Sequence, residues 1–117
     1  MHYALLIYER HANYEGLGDD ERRAMTAEYM AVGEDPRVVG SAHLQPTSMA
    51  TSVRVSDGDT LVTDGPFADT KEWLAGYYLI ECPDLDTATE QAARIPATRH
   101  GSVEVRPVME IPAATTA

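Results

Sequence analysis

The sequence predicts a single α+β domain, and three observations predict it. Short runs of β-forming residues recur along the chain, two intervening stretches carry apolar residues at helical spacing, and Gly, Pro or Asp-Gly pairs punctuate the joins. A length of 117 residues with 44% hydrophobic content suits one domain with a rather thin core. That domain is expected over residues 1–111, with a flexible tail at 112–117.

His2 to Tyr8 is short, apolar and rich in β-formers, as in a strand buried on both faces or nearly so. Gly16, Gly18 and the acidic run Asp19-Asp20-Glu21 then favour a helix start, because carboxylates suit the exposed amides of a first turn. The helix is expected from about Asp20 to Val32. Met25, Tyr29 and Val32 form its inward stripe, Glu21, Arg22 and Glu28 lie mostly on the wet side, and Gly33 and Pro36 end it.

Val38 to Leu44 reads as a second strand interrupted by Gly40, and Thr51 to Ser56 as a third with period-two alternation. Asp57-Gly58 fits a type I′ turn, in which both central residues need positive φ, so Thr60 to Thr63 should fold straight back. Gly76 to Cys82 is the next strand. Asp84 then caps a second helix with apolar spacing Leu85, Ala88, Ala92, Ile95, which Pro96 stops. Ser102 to Arg106 alternates as a last strand.

The order is thus β-α-β, a hairpin, then β-α-β: the ferredoxin-like β-α-β-β-α-β motif with a β-hairpin inserted in its middle. Two helices cover only one face of such a sheet. The other face needs burial, which predicts a homodimer. Leu5, Ile7, Tyr78, Ile80, Val103 and Val105 supply core or interface.

A net charge of −10 argues against nucleic-acid binding, which relies on clustered Lys and Arg. No apolar run approaches a membrane span, and the N-terminus has no basic leader, so a soluble cytoplasmic protein is expected. The single cysteine, Cys82, excludes an intrachain disulfide and a cysteine zinc site, and reads as a half-buried thiol near a strand end. His2, His11, His43 and His100 form no close ligand pair, so neither metal nor cofactor is expected. Gly16-x-Gly18 lacks a third glycine and precedes three acids that would repel phosphate, which excludes a nucleotide loop.

The segment most suggestive of a site is Asp64-Gly65-Pro66-Phe67 with Lys71 and Glu72 after it. Glycine relieves backbone strain, proline fixes φ, and Asp64 can accept bonds from nearby amides, so the segment is a turn or the rim of a polar pocket. Trp73, Tyr77 and Tyr78 follow closely, and aromatic rings with polar tips suit core, interface or pocket wall alike. The candidate ligand-binding residues are Asp64, Phe67, Lys71, Trp73 and Tyr78. The candidate acid–base pair is Asp64 with His43 or a tyrosine.

The chain resembles the YCII-related family, in its DGPF branch of small stand-alone domains. The resemblance runs through Tyr3-Ala4-Leu5-Leu6-Ile7-Tyr8, Asp64-Gly65-Pro66-Phe67 with Thr70-Lys71-Glu72, Gly76-Tyr77-Tyr78, Arg94-Ile95-Pro96-Ala97 and Gly101 to Pro107. It implies a dimeric α/β barrel in which two ferredoxin-like sheets pack face to face. It also implies a link to sigma factors of the extracytoplasmic-function type. Some relatives resemble enzymes built on a paired His and Asp, with the His on the first helix; this helix offers Glu28 and Tyr29 instead. Two functions follow as expectations: a homodimeric module that binds a small ligand or a sigma-factor-linked protein partner, or a cofactor-free lyase or hydrolase using Asp64 with His43 or a tyrosine.

Overall fold

The computed structural model describes residues 1–10, 16–66 and 71–110. Strand β1 spans His2–Arg10, helix α1 Asp19–Gly33, β2 Val38–His43, β3 Thr51–Ser56, β4 Asp59–Asp64, β5 Glu72–Glu81, helix α2 Leu85–Ala92 and β6 Ser102–Pro107. Short 3-10 turns occupy Thr47–Met49 and Pro96–Arg99. Four strands form one antiparallel sheet in the order β2-β5-β1-β6, consistent with a ferredoxin-like fold, while β3 and β4 pair only with each other. The expected tail at 112–117 and the aromatic Phe67 lie outside the described residues. No helix among the described residues is long and apolar enough to cross a membrane.

The core lies on one face of the sheet. Tyr3, Leu5 and Ile7 alternate along β1 and meet Tyr78 and Ile80 of β5, with Tyr29 and Val32 of α1 and Ala88 and Ala92 of α2 packed above them. Leu5, Ile80 and Ile95 are wholly buried. Truncating Leu5 or Ile80 to alanine therefore costs about 2–5 kcal/mol through lost transfer energy and the cavity left behind. On the opposite face Ala4, Leu6, Tyr8 and Leu79 are half-buried, and Leu74 and Tyr77 are exposed.

Helix α1 carries its acids in the first turn, as anticipated, and ends with the Glu34 amide bonded back to Met30 and Ala31. Helix α2 is capped by Asp84, whose side chain accepts from the Thr87 amide and hydroxyl at 2.8 and 2.7 Å. It departs from the anticipated stripe in two ways. Leu85 is 53% exposed while Gln91 is buried, and the helix stops at Ala92. Beyond Ala92 the amides of Arg94 and Ile95 bond three residues back, to Gln91 and Ala92, which turns Ile95 into the core outside the helix.

The hairpin is as the sequence reads: Asp57 and Gly58 have φ of 50° and 81°, and Val53 pairs with Val62. The strand expected from Gly76 instead begins at Glu72, because β1 runs on past Tyr8 and pairs Glu9 with Trp73 and Arg10 with Glu72. A bulge between Ile7 and Tyr8 accommodates the extension. Gly76 lies in the sheet between Ile7 and His43, where a Cβ would come within 2.4 Å of the Ala42 carbonyl oxygen. Only glycine lets β2 approach that closely, and it places no side chain between its two neighbours.

Candidate functional site

Five segments converge where α1 crosses the β2 end of the sheet. Ile7 of β1, Arg22 and Tyr29 of α1, His43 at the end of β2, Leu44 and Pro46 just after it, and Trp73 and Ala75 of β5 line a cavity of about 380 Å³. That is near the lower end of the range for small-molecule pockets, and its mixture of apolar walls with a few polar groups is typical of them.

The arrangement follows from local structure. Alternation along β1 sends Glu9 to the same face as Ile7, and its register partner Trp73 shares that face. Tyr29, seven residues after Arg22, is two helical turns further along α1 and falls on nearly the same side. The Tyr29 hydroxyl donates to Oε1 of Glu9 at 2.5 Å, and the Glu9 side chain, at 2% exposure, is withdrawn from solvent. A carboxylate is tolerated at such a depth when hydrogen bonds replace its water. The His43 ring stands perpendicular to the Tyr29 ring, 5.2 Å between centroids. From behind, the Tyr78 hydroxyl donates to the Tyr29 carbonyl at 2.6 Å and fixes this part of α1 over the sheet; burial pushes the Tyr78 phenol above its usual 10.0.

The residues expected from the sequence separate into two groups. His43 and Trp73 line the cavity. Tyr78 lies behind it as a core residue, 3% exposed, although it borders a smaller neighbouring hollow with Tyr29 and His43. Asp64 sits at the far end of β4, exposed and opposite Thr51, and no hydrogen bond joins it to His43. The turn after it is tied to its own hairpin: Gly65, at φ 97°, donates its amide to the Ala50 carbonyl at 2.7 Å, and its carbonyl accepts from the Ser52 hydroxyl at 2.7 Å. Lys71 is exposed just before β5, and Glu72 bonds Arg10 and Ser102 at 3.2 and 2.9 Å.

Glu9 and Arg22 escaped the sequence reading. Glu9 follows an apolar strand at its exposed-looking end, and Arg22 sits among charged helix residues that normally face water. The one available signal was Glu9's place in the alternation Tyr3, Leu5, Ile7, which puts an acid on the core face. Among the described residues, no group of three His, Cys, Asp or Glu side chains is placed to hold a metal ion. Cys82, expected to be half-buried, is buried just after β5, with its Sγ 3.4 Å from the Asp84 carbonyl oxygen.

An uncharacterized protein of Rhizobium meliloti is 41% identical, with 92% of each chain covered. The profile of the YCII-related domain matches residues 1–112, nearly the whole chain. The chain belongs to the YCII-related domain family.

Proposed function

We propose that this chain is a homodimeric domain of the DGPF branch that binds a small molecule in the cavity between α1, the end of β2 and the start of β5. The observation that carries the reading is the convergence of Tyr29, His43 and Trp73 on one cavity of about 380 Å³. The Tyr29 hydroxyl and the His43 ring nitrogens can orient a ligand, while Ile7, Leu44, Pro46, Trp73 and Ala75 supply apolar contact. Dimerisation is supported by the second sheet face. Leu6, Leu74, Tyr77 and Leu79 form an apolar surface there that a second copy would bury, as in the dimeric α/β barrel. A sigma-factor-linked protein partner belongs to the same reading, and the net charge of −10 favours a protein over a nucleic acid as what it touches.

One observation favours a second reading, a cofactor-free lyase or hydrolase. A buried carboxylate bonded to a phenol beside an imidazole is a plausible acid–base assembly, with Tyr29 and His43 reaching the substrate and Glu9 holding Tyr29. In that version the carboxylate is Glu9 and not Asp64.

Native mass spectrometry of the protein purified under mild conditions, combined with light scattering, tests the main reading. A dimer of 12.8 kDa subunits that retains a small molecule, and loses it when His43→Ala and Trp73→Leu are combined, is the expected result. A stable monomer at micromolar concentration would remove the dimer, and retention unaffected by the double substitution would remove the site.

A further inference from the structure

We infer that the hollow between α1 and α2 is a second binding site, for a small neutral molecule that presents an amide edge, a carbonyl oxygen beside an N–H. Glu28, Ala31 and Val32 of α1 and Asp35 just beyond it follow one another at helical spacing, and Gln91 and Arg94 face them across a hollow of about 270 Å³. None of these six residues lines the cavity of Tyr29, His43 and Trp73, so this site stands or falls apart from the reading above. Gln91 carries the inference. It lies on the inner side of α2 with Ala88 and Ala92, at 2% exposure, and its Nε2 and Oε1 are both buried without a hydrogen-bond partner among the described residues. Buried polar atoms are almost always hydrogen-bonded, because an unpartnered one has given up water for nothing. A leucine or methionine would fill the same place on the helix without that loss. A glutamine is accounted for by what enters the hollow it borders.

The side-chain amide offers N–H donors at one end and a carbonyl acceptor at the other. A ligand that satisfies both ends at once brings an acceptor and a donor on neighbouring atoms, as a carboxamide, a lactam or a urea does. A carboxylate has acceptors alone, so it leaves the Gln91 oxygen bare, and it also meets the like charges of Glu28 and Asp35. An ammonium has donors alone and leaves the Gln91 nitrogen bare. The two acids already have cationic partners: Glu28 accepts from Arg99 at 2.9 Å, and Asp35 lies 3.8 Å from Arg94. A neutral ligand disturbs neither pair. Ala31 and Val32 add apolar contact for a short chain, and the volume, just under the usual range for small-molecule pockets, keeps the ligand small.

Proton–nitrogen correlation spectra of the labelled protein read the site through the side-chain NH2 pair of Gln91, assigned by its disappearance in Gln91→Leu. Three probes of one shape are compared: butyramide, butyrate and butylammonium. Butyramide should shift the Gln91 pair together with the backbone amides of Ala31 and Val32. It should bind about tenfold more tightly than either ion, since each ion leaves one buried polar atom unpartnered. Ala31 is exposed on α1 and lines the hollow, so Ala31→Leu fills the space without touching the core; it should abolish these shifts while the Gln91 pair stays visible. A Gln91 pair that butyramide leaves in place means that the hollow holds ordered water only, and overturns the inference. Equal affinities for the three probes, or butyramide shifts that persist in Ala31→Leu, overturn it as well. Butyramide that moves the Trp73 indole signal and not the Gln91 pair counts for the cavity and against this site.

Discussion

The Tyr29 hydroxyl donates to Glu9 at 2.5 Å, joining the middle of α1 to the end of β1 inside the molecule. The two residues are 20 positions apart, and their bond sets the inner wall of the cavity. Removing the hydroxyl takes a hydrogen bond from a buried carboxylate, which costs about 1–3 kcal/mol. Tyr29→Phe should lower the urea unfolding free energy by that amount. Glu9→Gln, whose amide oxygen still accepts, should cost less. Equal stability of wild type and Tyr29→Phe would show that the bond contributes nothing.

Gly76 is a steric requirement of the β2–β5 pairing. Gly76→Ala would force its Cβ to within 2.4 Å of the Ala42 carbonyl oxygen, backbone that cannot swing aside, whereas at Gly40 the nearest atom is the Leu79 Cβ at 3.8 Å. Gly76→Ala should destabilise by about 1–3 kcal/mol or more and displace His43, while Gly40→Ala costs well under that. Thermal unfolding of the two variants side by side measures the difference.

Tyr78 should titrate late for a tyrosine. Burial raises its pKa above 10.0, so folding favours the neutral phenol; its contribution is present below pH 10.0 and is lost as pH rises through the higher folded value. Among the six tyrosines, ultraviolet titration should resolve a component ionising late that vanishes in Tyr78→Phe. Loss of its bond to the Tyr29 carbonyl should also cost about 1 kcal/mol.

Asp84 gives the opposite pH dependence. Bonds first from the Thr87 hydroxyl and then from the Thr87 amide hold its carboxyl below the usual 3.8, so its stabilisation is present above pH 3.8 and is lost as pH falls through the lower folded value. Asp84→Asn keeps a capping acceptor but does not titrate. Urea midpoints at pH 6 and pH 3 should therefore fall less for Asp84→Asn than for wild type. A parallel fall in both proteins would contradict the assignment.

Much of this architecture is legible in the sequence because local chemistry and tertiary structure agree there. Asp57-Gly58 demands positive φ and gets it, the stripe Met25, Tyr29, Val32 faces the core, and Asp84 caps its helix. The reading failed where long-range contacts override local pattern. Glu72 and Trp73 join β5 only because β1 extends far enough to pair with them, and Leu85 is left outside because Ile95 fills the core after a tightened turn. The site was legible in part. His43 and Trp73 were recognisable as polar and aromatic residues near chain turns, but Asp64, the most conspicuous acid, belongs to a hairpin tied off by the bonds of Gly65 to Ala50 and Ser52. Glu9 was concealed because its depth depends on Tyr29 reaching over it from a distant segment.

Trp73 is the single tryptophan of the chain and lines the cavity, so its indole N–H gives one resolved signal in a proton–nitrogen correlation spectrum. Titrating a fragment library against labelled protein and following that signal tests the ligand site most directly. Some of the binding fragments should shift the Trp73 indole signal together with the amides of Tyr29 and His43. Binding fragments that without exception leave these three unmoved would place the ligand site elsewhere and contradict the account.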